Sequence, residues 1–302
     1  MTLEPGRVIA SFGRAVQVED ERGEIVDCAV FGRRLEIVCA DRVLFERGAA
    51  RQGLVHELLP RRTAITRLNS RGESELVATN ATQLVVVIAN PPLPDFFLAD
   101  RYLAAAEAVG IPGLIVLNKI DMESARAEEC REELATYEQL GYRTALVSAH
   151  TGAGLAGLLD ALRGHTSLFV GQSGVGKSSL LNALSPEAAT RIREIVAKTG
   201  KGSHTTTRTG LFKLPGGGEL LDSPGVRDFA PGPDLLTHAV DGFREIVAAA
   251  SACRFGDCQH IEEPDCAVLA AVESGAITER RYRSYRQLRD VVERLSRKRR
   301  GY

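Results

Sequence analysis

The octapeptide Gly171-Gln172-Ser173-Gly174-Val175-Gly176-Lys177-Ser178 fills every fixed position of the pattern G-x-x-x-x-G-K-S. A strand expected over 167–170 precedes it and a helix opens at Gly176-Lys177, which is the strand–loop–helix context that the pattern requires. The glycines let backbone N–H groups turn inward on a phosphate, and the helix start adds its partial positive charge. Lys177 is then placed to reach the β and γ phosphates of a nucleotide. The Ser178 hydroxyl is placed to ligate Mg²⁺, with Ser179 next in the same turn. The loop by itself does not separate adenine from guanine nucleotides.

Around the loop the chain alternates strand and helix. Residues 84–89 and 114–117 are continuous apolar runs, the mark of strands buried on both faces. Helices are expected over 96–108, 123–140 and 155–162, and further strands over 144–147, 167–170, 211–214 and 219–221. This alternation predicts an α/β fold, a parallel sheet with helices on both faces. Residues 1–78 instead carry short apolar runs at 16–18, 25–30, 35–38 and 43–45 without a helical period. They predict a small β-barrel, although a sandwich would give the same pattern. Arginines such as Arg33, Arg34, Arg42, Arg61 and Arg62 punctuate this segment, either as an RNA-facing surface or as solubility charges. The 302 residues thus divide into 1–78, an α/β domain at 79–232 and a C-terminal domain at 233–302.

Two further loops select the base. Asn118-Lys119-Ile120-Asp121 closes the strand at 114–117. Asp121 can accept from guanine N1–H and the exocyclic amine, a donor pair that adenine lacks. Asn118 would tie the loop to its neighbours and the Lys119 stem would cover the base. Ser148-Ala149 follows the next strand and resembles the loop whose backbone N–H meets guanine O6. Downstream, Asp222-Ser223-Pro224-Gly225 fits D-x-x-G, with Asp222 holding Mg²⁺ through water and the Gly225 N–H sensing the γ-phosphate. Between the phosphate loop and that motif lies Gly202-Ser203-His204-Thr205-Thr206-Thr207. One of its threonines, Thr205 or Thr206 foremost, would complete the Mg²⁺ shell once γ-phosphate orders the segment. The order is guanine loop, Ser-Ala loop, phosphate loop, threonine loop, D-x-x-G: a circular permutation of the usual GTPase order. Domain termini often lie close together, so such a rearrangement leaves a site at the carboxyl ends of the strands intact. Asp121 argues against an ATPase.

Cys253-x4-Cys258-x-His260-x5-Cys266 gathers three thiols and one imidazole, a standard tetrahedral set for one structural Zn²⁺ per chain. With all four positions filled, no site remains open for catalysis. A redox-sensitive thiol group is the alternative. Cys28, Cys39 and Cys130 are scattered among apolar neighbours and read as core thiols. No apolar run approaches the roughly 18 residues of a membrane span, and the N-terminus lacks a basic-then-apolar leader. A cytoplasmic protein without a membrane partner is expected. The net charge of −1 argues against indiscriminate nucleic-acid binding, yet residues 279–300 hold ten Arg or Lys against three Asp or Glu. That tail is either a solvated helix or a surface for an acidic partner. Tyr285, Leu288, Val292 and Leu295 recur at helical spacing, so one face would pack and the arginine face would stay free for phosphates.

Together these motifs resemble the RsgA (YjeQ) family, the circularly permuted, ribosome-stimulated GTPases of bacteria. The resemblance rests on the order NKID, SA, GQSGVGKSS, TTT, DSPG and on the cysteine knuckle, and it spans nearly the whole chain. It implies an OB-type barrel that touches ribosomal RNA, a permuted GTPase domain and a zinc-binding, mainly helical C-terminal domain. It also implies a protein that binds GTP and GDP and acts on the small ribosomal subunit in late maturation, with hydrolysis linked to release. Nothing in the sequence suggests an obligate oligomer, so a monomer is expected. Ala40 stands where relatives often carry glycine before Asp-x-Val.

Val226 follows Gly225, where Ras-like GTPases carry the glutamine that positions the attacking water. Free turnover is therefore expected to be slow, with the missing group supplied by His204 or by the ribosome. Gly174 occupies the position where some self-stimulated GTPases carry a potassium-binding asparagine. The alternative function is a GTP-gated RNA-binding module in which hydrolysis is incidental.

Overall fold

The computed structural model describes residues 2–12, 15–31, 36–49, 51–68, 73–123, 126–186, 209–222 and 232–299. Five strands come first: β1 (Leu3–Phe12), β2 (Ala15–Asp20), β3 (Ile25–Val30), β4 (Arg42–Arg47) and β5 (Gln52–Leu58). They pair in the order β1-β2-β3-β5-β4 and close from β4 back onto β1, with β3–β5 the parallel contact. This is the OB-type barrel. Alternation fills its interior, since Val8, Val16, Val18, Val26, Cys28, Val43, Phe45 and Val55 all point inward and are buried. The apolar piece near 35–38 is a departure from expectation, because residues 36–38 form no strand. Ile37 drops into the barrel core instead. The Asp41 carboxylate holds that loop by accepting from Val38 N at 2.9 Å and from Arg61 Nε and Nη2 at 2.8 Å each. Ala40 adopts φ 71°, a left-handed conformation that favours glycine.

A two-stranded hairpin, β6 (Ala64–Leu68) and β7 (Ser74–Thr79), leads into the α/β domain. Its strands are β8 (Gln83–Ala89), β9 (Gly113–Asn118), β10 (Arg143–Leu146), β11 (Thr166–Val170), β12 (Thr209–Lys213) and β13 (Glu219–Asp222). Their order is β10-β9-β8-β11-β13-β12, parallel except for β12. Every residue of β8, β9 and β11 is buried, as strands covered on both faces must be. On one face lie α3 (Leu155–Leu162) and α4 (Lys177–Leu184), over Val85, Val87, Leu114 and Val116. On the other lie α1 (Phe96–Ala108) and α2 (Ala127–Gln139). Among the described residues no helix is long and apolar enough to cross a membrane.

The C-terminal part comprises α5 (Pro233–Ala239), a short 3-10 turn at Val240–Gly242, α6 (Arg244–Ala250), α7 (Ala267–Glu273) and α8 (Glu279–Arg299). Its Phe243, Ile246, Val268, Tyr285 and Leu288 belong to the same apolar cluster as α1 and α2. The expected face of α8 packs, with Tyr285 and Leu288 buried and Val292 and Leu295 half-covered against it. Two arginines of α8, Arg280 and Arg281, are drawn inward with that face. Arg281 is 1% exposed, pairing with Asp100 of α1 at 2.6 Å and Glu245 of α6 at 2.7 Å. Its guanidinium lies 4.6 Å from the Phe243 ring centroid. Asp100 also accepts from Tyr137 Oη at 2.6 Å and Arg280 at 2.7 Å. Removing one partner of such a group leaves uncompensated buried charge, at a cost of about 3–5 kcal/mol. Arg281→Met is expected to lose stability of that order in denaturant unfolding, whereas Arg283→Met, an exposed neighbour on α8, should change it little.

Candidate functional site

The phosphate loop leaves β11 at Gly171. Its φ is 141°, and a Cβ there would stand 2.2 Å from the Val87 carbonyl oxygen. Gly174 at φ 81° and Gly176 at φ 94° complete the turn into α4. Val175 is buried and anchors the loop, while Ser173, Ser178 and Ser179 face solvent. Lys177 Nζ donates to the carbonyls of Gly171 and Gln172 at 2.6 and 2.8 Å. The ammonium is thereby held across the loop that would receive the phosphates.

The guanine loop is tied directly to the phosphate loop. Asn118, at the end of β9, is 2% exposed. Its Nδ2 donates to Val175 O at 2.9 Å and its Oδ1 accepts from Ala149 N at 3.1 Å. One amide therefore joins three loops that lie far apart in sequence. Approach is so close that a Cβ on Gly176 would stand 2.4 Å from Asn118 Nδ2. Lys119, at φ 65°, donates from Nζ to Gly174 O at 2.7 Å and Pro91 O at 3.0 Å, so its stem crosses the phosphate loop. The Ile120 N–H reaches Val147 O at 3.2 Å, fixing the turn that presents Asp121.

Ser148 is fully buried. Its Oγ accepts from His150 N at 3.2 Å and Thr151 N at 3.0 Å, which leaves its proton for the Asp121 carboxylate. That hydrogen bond is the largest cause holding Asp121 below its ordinary carboxylate pKa, with the charges of His150 and Lys119 adding to it. An open cleft of about 300 Å³ lies along this loop, between Asn90, residues 117–123 and the Ala127 and Arg131 side of α2.

Asp222 ends β13, whose Leu221 pairs with Leu168 of β11. Its backbone thus stands at the same end of the sheet as Gly171. Ser203, His204, Thr205, Thr206, Gly225 and Val226 lie outside the described residues.

The cysteine cluster forms a second centre. Ligand atoms of Cys253, Cys258, His260 and Cys266 all lie within 4.8 Å of one another. Cys253 Sγ is 3.6 Å from His260 Nδ1 and 3.9 Å from Cys266 Sγ, and Cys266 Sγ is 3.5 Å from that nitrogen. A tetrahedron with Zn–S near 2.3 Å and Zn–N near 2.05 Å has edges of about 3.8 and 3.6 Å, so the donor set fits a zinc site. Two groups that the motif alone does not reveal support it. Tyr282 Oη donates to His260 O at 2.7 Å. The Glu263 carboxylate accepts from the N–H groups of Ile261, Gln259 and Glu262, which pull its pKa down to about 2. A carboxylate following Cys-x-His by three residues was the available signal for the second.

The family model described as RsgA GTPase matches residues 58–231. A model of 50S ribosome-binding GTPases matches residues 166–298, beginning on the strand that enters the phosphate loop. The chain is 45% identical over 288 residues to the small ribosomal subunit biogenesis GTPase RsgA of Azotobacter vinelandii, covering 94% of this chain and 84% of that protein. The protein of the same name from Pseudomonas fluorescens is 44% identical, with the same coverage. Among solved structures, YjeQ from Thermotoga maritima superposes with a TM-score of 0.77 at 30% identity, covering 96% of this chain and 99% of that one. YloQ, described as a circularly permuted GTPase, gives 0.73 at 27% identity over 97% and 96%.

Proposed function

The chain belongs to the RsgA GTPase family, and on that premise we propose that it serves late maturation of the small ribosomal subunit as a cytoplasmic, monomeric factor. It binds GTP, docks on ribosomal RNA through the barrel and the basic tail, hydrolyses the nucleotide on the subunit, and leaves as the GDP form. The observation that carries the nucleotide reading is the Asn118 side chain, which joins the guanine, Ser-Ala and phosphate loops at 2.9 and 3.1 Å.

In this reading Asp121 accepts from guanine, Ala149 N–H meets O6, and Lys119 covers the base. Residues 171–177 and Ser179 cradle the phosphates, and the Gly225 N–H senses the terminal one. Ser178, Asp222 and one of Thr205 and Thr206 would hold Mg²⁺, which neutralises charge on the phosphates when bound. His204, or a group on the ribosome, orients the water that Val226 leaves unheld. Cys253, Cys258, His260 and Cys266 would hold a structural zinc. Elemental analysis of protein purified without added metal should give close to one zinc per chain. Cys258→Ser should unfold the knuckle while leaving GTP binding largely intact, and a zinc-free protein with a folded knuckle would end that assignment.

Co-sedimentation with purified small subunits tests the cycle. The chain should pellet with the subunit in a non-hydrolysable GTP analogue and stay in the supernatant with GDP. Equal pelleting in both would sink the release step. Val226 favours a second reading, in which GTP only fixes a binding shape and hydrolysis is incidental.

A further inference from the structure

The barrel and the α/β domain form one hydrogen-bonded sheet, and the joint falls on the strand between the two switch motifs. Gly210 of β12 pairs with Ala10 of β1 on one side and with Asp222 of β13 on the other. The next residue back, Thr209, pairs with Ser11. Strands lie about 4.8 Å apart, so the Asp222 backbone stands about 10 Å from the barrel strand with Gly210 alone between them.

Side chains clamp the same seam. Arg7 of β1 pairs with Glu219 of β13 at 2.5 Å and donates to Thr166 of β11 at 3.0 Å. Lys213 of β12 pairs with Glu19 of β2 at 2.6 Å. Strand β1 itself changes partner along its length. Residues Leu3 to Arg7 pair with β4 and close the barrel, whereas Ala10 and Ser11 pair with β12. The change falls at an irregularity between Val8 and Ala10, where the Cys39 thiol donates toward Val8 O and Ile9 O. Bulges of this kind bend a strand and re-aim the residues beyond them.

We propose that this ladder couples the barrel to the nucleotide switch. Nucleotide bound at the end of β13, where Asp222 stands, biases β12 through the Asp222–Gly210 pair, and β12 biases the half of β1 beyond the bulge. RNA held by the barrel biases the same strand from the other side, so each ligand changes the affinity for the other by one common factor. The inference rests on the GTP- and RNA-binding reading above and adds the route between the two sites. It makes β1, a barrel strand, a positioning element for Asp222.

Hydrogen–deuterium exchange on the full chain tests it, comparing GDP with guanylyl imidodiphosphate. Peptides covering 171–178 report nucleotide binding, and peptides covering 3–12 report the seam. The analogue should slow exchange in the second half of β1 by at least about fivefold, the low end of ordinary site-to-site coupling, while β3 and β5 stay unchanged. Arg7→Met should shrink that difference and keep the protection at 171–178. Protection at the phosphate loop with identical β1 exchange in both nucleotides would overturn the coupling and leave the GTPase reading standing. Absence of protection at 171–178 would overturn the nucleotide reading and this inference with it.

Discussion

Asp121→Asn is expected to weaken GTP binding by up to on the order of 10⁴-fold, the discrimination a polar pocket reaches when a required hydrogen-bond partner is lost. The amide keeps one oxygen to accept from guanine N1–H but turns its N–H group on the exocyclic amine, so one of the two attractions becomes a repulsion. Xanthosine triphosphate carries an oxygen in place of that amine and should bind the variant better than it binds the parent chain. The rest of the site should survive, because the Asn118 bonds to Val175 and Ala149 do not involve Asp121. The pH dependence has a definite sign. Ser148 holds the Asp121 carboxyl below its ordinary value of 3.8, so the carboxylate persists through neutral and mildly acidic solution. Guanine affinity should therefore not fall until the pH drops below that value. A nucleotide titration showing unchanged GTP affinity in the variant would refute the guanine-loop assignment.

The turns at 118–121 and 171–178 were readable because the chemistry they suit is local. Phosphate needs consecutive inward N–H groups, which dictates glycines at fixed spacing, and a guanine-reading carboxylate needs one short turn. Strands β8, β9 and β11 were equally plain, since burial on both faces leaves unbroken apolar runs. What escaped is long-range. Strand β1 begins with Leu3-Glu4-Pro5-Gly6, which has little strand character, and forms because β2, β4 and β12 all pair with it. The Lys119 bridge to Pro91 depends on a loop 28 residues upstream. At 36–38 the apolar signal marked a barrel plug at Ile37 rather than a strand, and alternation does not distinguish the two. Arg281 is the case where a signal existed. It lies four residues before Tyr285 and seven before Leu288, on the face already expected to pack, so its inward direction followed from the same periodicity.

The other large expected effect is stimulation of turnover by the small ribosomal subunit. The glutamine position after D-x-x-G holds Val226, which cannot orient water by a hydrogen bond, so the free chain should turn over slowly. Supplying a missing group to a GTPase is worth on the order of 10³–10⁵ in rate, and purified small subunits should raise turnover within that range. Contacts to RNA phosphates weaken steeply with salt, so stimulation should fade as salt is raised while GTP affinity stays nearly constant. His204→Ala should lower stimulated turnover and spare GTP binding; a variant stimulated like the parent would move the water-orienting group to the ribosome or elsewhere in the chain. The deciding measurement is steady-state GTP hydrolysis by the intact chain, titrated with purified small subunits at low salt. A rise of at least about 10³-fold is the predicted result. Turnover that stays at its free-chain level with subunits saturating would contradict the account and leave GTP as a shape-fixing ligand.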